Sequence, residues 1–375
     1  MKNLKRVFVL FLTAAFLLNY TNIYANTENS LYKDYIPEEA YSYAAENYRD
    51  GLGVILDNVK LYGIRGKIED FQLCDPYIVY DVEKEVQEPL YYFPIKNNQE
   101  KIVLVMAVFL TENGWSDSIS GCMADELNDK NYLEEECLIY GDSDEICVEN
   151  KDNQADTERV DGADIEKFTK KDFRNKKKEF KKKYKVDFNV QLEEDNNKCI
   201  YQSSFLISTA TNILLNTKNA AVNQKIDGEN EDICWAASVA TIYNYIKNKN
   251  ISAKKVCDNV GHKYTGGTDK DILDAFKKHE LNYIKVNSTL DYDRIRSKLK
   301  EKKPISMATR TANNAYGHLV TLVGLDLGER NQPRITIWNS ATEQYECMAY
   351  LGDNTAYGLF SDTYYWRHSF CFYYK

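Results

Sequence analysis

The chain has 375 residues and a formal net charge of −9, so it lacks the overall basic charge that is typical of nucleic-acid-binding proteins. With 43% hydrophobic and 13% aromatic residues it can bury a sizeable core. Its length suggests two domains, or one domain with a long appendage. Beyond the N-terminus no apolar run approaches the roughly 18 residues of a spanning helix, so we expect no stable membrane anchor.

The N-terminus has the pattern of a secretory signal peptide. Lys2, Lys5 and Arg6 form a positive region, residues 7–18 are apolar, and a small residue follows at the candidate cleavage point. This pattern predicts a signal peptide over residues 1–25 and a secreted, extracellular bacterial protein. An uncleaved anchor is the alternative.

Nine cysteines follow this segment, at positions 74, 122, 137, 147, 199, 234, 257, 347 and 371. If Cys234 is a free thiol, the other eight could pair in an exported protein. No two cysteines have the C-x2-C spacing of a zinc site, so we expect no metal site.

Residues 26–165 are predicted to form a mainly β N-terminal pro-domain. A helix begins near Pro37 and is predicted to stop at Gly51. Apolar runs at residues 90–95 and 101–110 are typical of strands in a small antiparallel sheet.

Residues 166–215 form a basic linker segment with two lysine triplets, 176–178 and 181–183. A solvated helix is the favoured interpretation. The alternatives are contact with an anionic cell wall, or docking against the acidic residues 141–166.

Residues 216–375 change from a helical to a strand-rich pattern. Residues 234–247 are predicted to be helical, and a capping box at residues 268–271 opens another helix. Later apolar runs predict strands at 304–309, 318–325 and 334–338.

Cys234 begins the first of these helices. Trp235, Val239, Ile242 and Ile246 share one face of it, and Asp232 is the expected N-cap. Free N–H groups and the dipole of the first turn favour a thiolate, which is the nucleophilic form of cysteine. A buried cysteine at a helix start is the competing interpretation.

Two polar residues could complete a thiol site with this cysteine. Cysteine hydrolysis needs an imidazole beside the thiolate and a group that holds the ring. His318 lies where a loop meets a strand, and Asn339 ends the next strand beside Trp338. A histidine at a strand start and an ordinary turn asparagine are the alternatives.

Three motifs occur in a fixed order: Cys-Trp-Ala-Ala-Ser at 234–238, Gly-His-Leu-Val-Thr-Leu-Val-Gly at 317–324, and Trp-Asn-Ser at 338–340. Together they resemble the papain-like cysteine peptidases, nearest to the bacterial secreted, staphopain-like branch. The resemblance implies an α+β fold with a helical left lobe, an antiparallel β right lobe and a cleft between them. It also implies that Cys234 is the nucleophile, His318 the base and acid, and Asn339 the residue that orients the ring.

The resemblance extends to Gln224 and to Gly266 and Gly267. In the family, a glutamine upstream of the cysteine donates to the oxyanion, and a Gly-Gly pair lets substrate backbone lie against the left lobe. A surface glutamine, and a turn that needs positive φ, are the alternatives. The residues after Asn339 lack the family's Trp-Gly run, which is associated with shielding of the triad.

The leading hypothesis is a secreted cysteine endopeptidase made as a zymogen, acting on protein or peptide substrates. Its own N-terminal pro-domain is the expected inhibitory partner, released by a cut between Thr217 and Asn223. The alternatives are a cell-wall peptide amidase or transpeptidase with the same triad, and a catalytically dead secreted binding protein. No metal or organic cofactor is implied.

Overall fold

A computed structural model describes most of the chain and has a mixed α+β fold, in agreement with the predicted class. The described residues are 36–84, 88–133, 137–141, 146–150, 175–180, 212–328 and 332–373. The predicted signal peptide, Cys199, and most of the acidic and basic segments lie outside these ranges.

Seven helices are labelled here, and a further helical stretch covers residues 175–180. The labelled helices are α1 (Glu38–Asp57), α2 (Val59–Tyr62), α3 (Ala124–Asp129), α4 (Cys234–Lys247), α5 (Ala253–Val260), α6 (Asp269–Lys278) and α7 (Tyr292–Lys300). Within the described ranges, no helix is both long enough and apolar enough to cross a membrane.

The strands fall into an N-terminal and a C-terminal set. The N-terminal strands are β1 (Phe71–Leu73), β2 (Tyr80–Asp81), β3 (Leu90–Asn97), β4 (Ile102–Thr111), β5 (Gly114–Ser120), β6 (Cys137–Gly141) and β7 (Ile146–Asn150). The C-terminal strands are β8 (Ile213–Leu214), β9 (Lys225–Ile226), β10 (Glu229–Asn230), β11 (Tyr283–Val286), β12 (Ile305–Thr311), β13 (Gly317–Leu327), β14 (Pro333–Asn339), β15 (Gln344–Ala349), β16 (Ala356–Leu359) and β17 (Asp362–Phe372).

One 12-stranded sheet joins the two sets of strands. Its order is β1-β3-β4-β5-β15-β14-β13-β12-β17-β11, with β16 beside β17 and β8 beside β13. The join is the antiparallel pair β5–β15, in which Cys347 lies opposite Ile119 and Met348 opposite Ser118. The strands predicted at residues 90–95 and 101–110 therefore belong to this large sheet and not to a small sheet of their own. β2, β6 and β7 form a separate three-stranded sheet.

Strand β8 lies N-terminal to residue 216, where the C-terminal domain was predicted to begin. Ile213 and Leu214 pair with Leu325 and Gly324 of β13, so the unit begins before the predicted boundary at residue 216. Thr217 is fully buried, and its hydroxyl lies 3.0 Å from the hydroxyl of Tyr345.

Helix α4 packs in a core of its own beside the sheet. Trp235, Val239 and Ile242 are buried, as their spacing predicted, among residues of α5 and α6. Ala308 of β12 and Leu319 of β13 belong to the same core. This packing presents the first turn of α4 to the start of β13.

A second region of interest, the junction network, holds the N-terminal residues to β14. It consists of Arg334, Asp117, Asp50 and Tyr43. Arg334 and Asp117 are 1% and 0% exposed. The Arg334 guanidinium donates to both carboxylate oxygens of Asp117, and its Nη1 lies 3.8 Å from Asp50 Oδ2. The Tyr43 hydroxyl donates to Asp117 over 3.0 Å.

Helix α1 continues through Gly51, where the sequence predicted its end. A Cβ on Gly51 would lie 2.6 Å from Ile119 Cδ1 and 2.9 Å from Arg334 Nη2. The glycine therefore gives the arginine room to approach the helix, and this tertiary contact outweighs its poor helix propensity.

The described cysteines and the basic segment also depart from expectation. Phe180 is buried in the N-terminal core, so the described part of the basic segment is not a purely solvated helix. Several cysteines in the described ranges are free thiols and do not form the disulfides considered above. They are Cys74, Cys122, Cys234, Cys257, Cys347 and Cys371.

Candidate active site

The thiol of Cys234 lies at the first residue of α4. The helix is capped by Ile233, with no side-chain cap, so the prediction of Asp232 as N-cap is wrong. Ile233 is fully buried, and its carbonyl accepts the Ala237 N–H over 3.0 Å. An apolar anchor thus sets the helix start and leaves the first-turn N–H groups available near the thiol.

His318 lies beside Cys234 at the start of β13. Its Nε2 lies 2.8 Å from Asn339 Oδ1, so Nδ1 is the ring nitrogen left to face the thiol. Burial raises the pKa of Cys234, but the charge of His318 and a hydrogen bond from it lower that pKa below its ordinary value. Burial lowers the pKa of His318, whereas Cys234 and then Asn339 raise it above its ordinary value. The site therefore favours a thiolate–imidazolium pair.

The imidazole is also held from its other sides. Its ring packs edge-on against Tyr364, with centroids 6.2 Å apart. The carbonyl of His318 accepts a hydrogen bond from the Thr309 hydroxyl over 2.9 Å. These contacts fix both the ring and the backbone that carries it.

Asn339 is fully buried at the end of β14. Its Oδ1 accepts from the Ala341 N–H over 3.1 Å as well as facing His318. Its Nδ2 donates to Glu346 Oε1 over 2.8 Å. Cys234, His318, Asn339 and Glu346 are called the active-site network below.

Glu346 was not predicted from the sequence. It lies on β15 opposite Ile337, one diagonal step from Asn339, and is 2% exposed. Burial raises its pKa to about 7, against the lowering effects of the Asn339 hydrogen bond and the His318 charge. The available signal was a lone glutamate in an alternating strand seven residues after Asn339, and that position alone does not reveal burial.

Gln224 lies against the residues that follow Asn339. Its side-chain Oε1 accepts a hydrogen bond from the Ser340 hydroxyl over 3.1 Å. Its backbone N–H donates to the Ser340 carbonyl over 3.4 Å. The Trp338 Nε1 donates to the Val222 carbonyl over 2.9 Å and holds the same segment. Gln224 lines the cleft together with Cys234 and His318.

Gly266 and Gly267 line the same cleft on the side of α6. Neither has positive φ, so the alternative of a turn that needs left-handed backbone is wrong. A Cβ on Gly267 would lie 2.7 Å from the Trp235 ring, whereas Gly266 has open space around it. Trp235 is 1% exposed and donates to the Thr265 carbonyl over 3.0 Å, so it supports this wall from beneath.

The cleft has a volume of about 880 Å³ and is lined by residues from both the N-terminal and the C-terminal part of the chain. From the N-terminal part, residues 121–123, 125, 126 and Ile146 contribute to its lining. The other walls come from residues around Gln224, Gly266 and His318. Within the described ranges, no group of three or more His, Cys, Asp or Glu side chains is placed to hold a metal ion.

Comparison with known protein families gives a match that spans this site. The family model described as papain-like cysteine protease AvrRpt2 matches residues 214–348, a span that includes Cys234, His318 and Asn339. No curated protein gives a significant match. The family match supports a papain-like cysteine protease but does not support the staphopain-like branch. The chain is a cysteine peptidase, a hydrolase.

Proposed function

We propose that this cysteine peptidase is a secreted endopeptidase, made as a zymogen, that cleaves proteins through Cys234, His318 and Asn339. The observation that carries the proposal is the hydrogen bond between His318 Nε2 and Asn339 Oδ1. It leaves Nδ1 beside the thiol, which is the arrangement that thiolate–imidazolium chemistry needs.

In the first step, the Cys234 thiolate attacks the carbonyl carbon of the scissile peptide bond. The carbonyl oxygen takes the negative charge. The Cys234 backbone N–H and Gln224 Nε2 are the proposed donors to this oxyanion. Because Gln224 Oε1 already accepts from Ser340, the amide nitrogen of Gln224 is the end left to donate.

The imidazolium of His318 then protonates the leaving amine, and the C–N bond breaks to give a thioester on Cys234. His318, now neutral, takes a proton from a water molecule, which attacks the thioester carbonyl. The acid product leaves, and the thiolate–imidazolium pair is restored. Gly266 and Gly267 are proposed to lie along the substrate backbone on the α6 side.

The zymogen proposal is supported by the N-terminal residues 121–123, 125 and 126, which border the cleft. We no longer propose a cut between Thr217 and Asn223, because hydrogen bonds hold this segment within the folded domain. The Ala221 N–H donates to the Thr217 carbonyl over 2.8 Å, and the Val222 N–H donates to Thr241 over 3.0 Å. We therefore place the activating cut N-terminal to residue 212. Secretion is proposed from the sequence of residues 1–25.

The test is hydrolysis of casein by the purified full chain and by its Cys234→Ala variant. We expect Cys234→Ala to lose both casein hydrolysis and self-processing, because the nucleophile is gone. Cys257→Ala is the matched control, since this buried cysteine lies outside the cleft. Casein hydrolysis that survives in Cys234→Ala would refute the proposal, and digestion of purified cell wall without casein hydrolysis would refute the endopeptidase assignment.

A further inference from the structure

We propose that Glu346 is a positioning residue of the active site, which acts through Asn339 to hold the His318 ring. This inference rests on the proposed function, since it assigns a further role in the same reaction. Glu346 does not touch the thiol or line the main cleft. Its hydrogen-bond contact with the active site is the 2.8 Å bond that it accepts from the Asn339 amide nitrogen.

The problem that Glu346 solves is the two-fold ambiguity of an asparagine amide. Only the oxygen end of Asn339 can accept the His318 Nε2–H, and rotation by half a turn would present a donor to a donor. When Glu346 is ionised, its carboxylate only accepts hydrogen bonds, so it requires the nitrogen end of the amide. The Ala341 N–H independently requires the oxygen end on the opposite side. With Asn339 fully buried, water is not at hand to satisfy the reversed amide.

The register of the sheet places the two side chains together. Asn339 pairs with Gln344, and Ile337 pairs with Glu346. Side chains at i and i+2 share a face of a strand, so Asn339 and Glu346 are diagonal neighbours on one face of β14–β15. A shift of one residue would turn Glu346 to the other face, where Arg334 lies.

Glu346 lacks a lysine or arginine partner among the described residues. In the ranges that the structure describes, no lysine or arginine forms an ion pair with it, and the cation that acts on it is the His318 imidazolium, across Asn339. Among the described residues, the Glu346 charge also acts on four other titratable groups: Cys122 after β5, Tyr92 on β3, Tyr357 on β16 and Tyr62 on α2.

These four groups stay neutral when Glu346 ionises. Burial is the largest cause that raises the pKa of each of them, and the Glu346 charge raises each further. The Glu346 charge also raises the pKa of His318, and so it adds to the stabilisation of the imidazolium.

This role predicts how the pH profile responds. The pKa of His318 is raised, so the imidazolium is present at lower pH and is lost as pH rises through that pKa. Removing the Glu346 charge lowers the pKa of His318, so the alkaline limb of kcat/KM moves to lower pH. Glu346→Gln removes the charge but keeps an oxygen that accepts from Asn339 Nδ2. Glu346→Ala removes both.

The experiment compares Glu346→Ala, Glu346→Gln and wild type in kcat, KM and the pH profile of kcat/KM. We expect Glu346→Ala to lower kcat about 10- to 100-fold with little change in KM, because the freed amide can turn away from His318. Glu346→Gln should restore kcat to within about fivefold of wild type, with its alkaline limb shifted to lower pH. Glu301→Ala and Glu301→Gln, at the end of α7, are controls that should match wild type.

A double-mutant cycle with Asn339→Ala separates positioning from simple packing. If Glu346 acts through Asn339, Glu346→Gln and Glu346→Ala should cost almost nothing in kcat once Asn339 is alanine. Full additivity in that cycle, or wild-type kcat in Glu346→Ala, would overturn the inference. If Glu346→Ala does not fold, the Glu346→Gln pH profile and its half of the cycle decide the question. An active Cys234→Ala would instead overturn the proposed function itself.

Discussion

Strand β14 carries two buried polar networks, one near each end and on opposite faces of the sheet. The junction network surrounds Arg334, and the active-site network includes Asn339, five residues later. In the junction network a fixed cation faces two carboxylates, Asp117 and Asp50. In the active-site network the carboxylate of Glu346 faces a neutral amide.

The difference separates stability from reactivity. The charge of Arg334 is compensated, and although burial lowers its pKa, Asp117 raises that pKa well above its ordinary value. This arginine stays ionised throughout the reaction. The carboxylate of Glu346 has its pKa raised to about 7 by burial, and its cationic neighbour, His318, gives up its proton in every cycle. We therefore expect mutations in the junction network to change folding and those in the active-site network to change rate.

Replacing His318 should produce the largest effect. His318→Ala removes both the partner that ionises Cys234 and the acid that protonates the leaving amine. We expect kcat/KM to fall by about 10⁴-fold or more, with the melting temperature little changed. The readout is peptide hydrolysis beside a thermal melt. His262→Ala is the control, and equal losses of rate in the two variants would contradict the assignment.

Breaking the junction network should have the opposite signature. Arg334→Met leaves Asp117 and Asp50 buried without their cation, which typically destabilises a protein by about 3–5 kcal/mol. Denaturant unfolding measures this change in the free energy of unfolding. Arg294→Met, which breaks an exposed pair with Asp291, should cost less than about 1 kcal/mol.

The turnover of Arg334→Met, counted per folded molecule, completes that experiment. It should stay near wild type if the two networks are independent. A large drop in kcat of fully folded Arg334→Met would show that the junction network also affects the catalytic rate.

Removing Gln224 should affect rate alone. Gln224→Ala takes away a proposed oxyanion donor, and such losses lower kcat by about 10²- to 10³-fold. Gln99→Ala, on an exposed turn that does not line the cleft, is the matched control. The assignment fails if kcat is unchanged while KM rises, because an oxyanion donor acts on the transition state.

Removing a single hydrogen bond between α2 and β14 should give the smallest change in stability. The Tyr62 hydroxyl donates to Thr336 Oγ1 over 3.1 Å. Tyr62→Phe should lower the free energy of unfolding by about 1 kcal/mol and leave kcat unchanged. A lower kcat with an unchanged free energy of unfolding would contradict the expectation that this contact affects stability and not rate.

The active-site network could be predicted in part because three of its four members lie at element boundaries. Cys234 begins a periodic helix, His318 begins an apolar strand and Asn339 ends one, so chain pattern and chemistry coincide. Glu346 lies inside a strand, and its burial depends on the register of β15 against β14 and on cover from the N-terminal strands. The sequence pattern of a single glutamate in an alternating strand is the same whether that face of the strand is exposed to solvent or buried.

The junction network was beyond prediction for the same reason. Arg334 and Asp117 are 217 residues apart in sequence, and nothing local shows that they pair. Gly51 reads as a helix stop, yet the approach of Arg334 requires a glycine inside helix α1. The capping box at Thr268 and Asp271, by contrast, is local and was predicted correctly.

The most direct test of the thiolate–imidazolium pair is the pH dependence of cysteine alkylation, followed by peptide mass spectrometry. Cys234 and Cys122 line the same cleft, but the pKa of Cys122 is raised by burial, whereas His318 lowers that of Cys234. Since the thiolate is the reactive form, Cys234 should react with iodoacetamide at a pH below the ordinary thiol range, where Cys122 remains unmodified. His318→Ala should move the Cys234 inflection upward. Alkylation of Cys234 with an ordinary or raised inflection, unchanged in His318→Ala, would contradict the account.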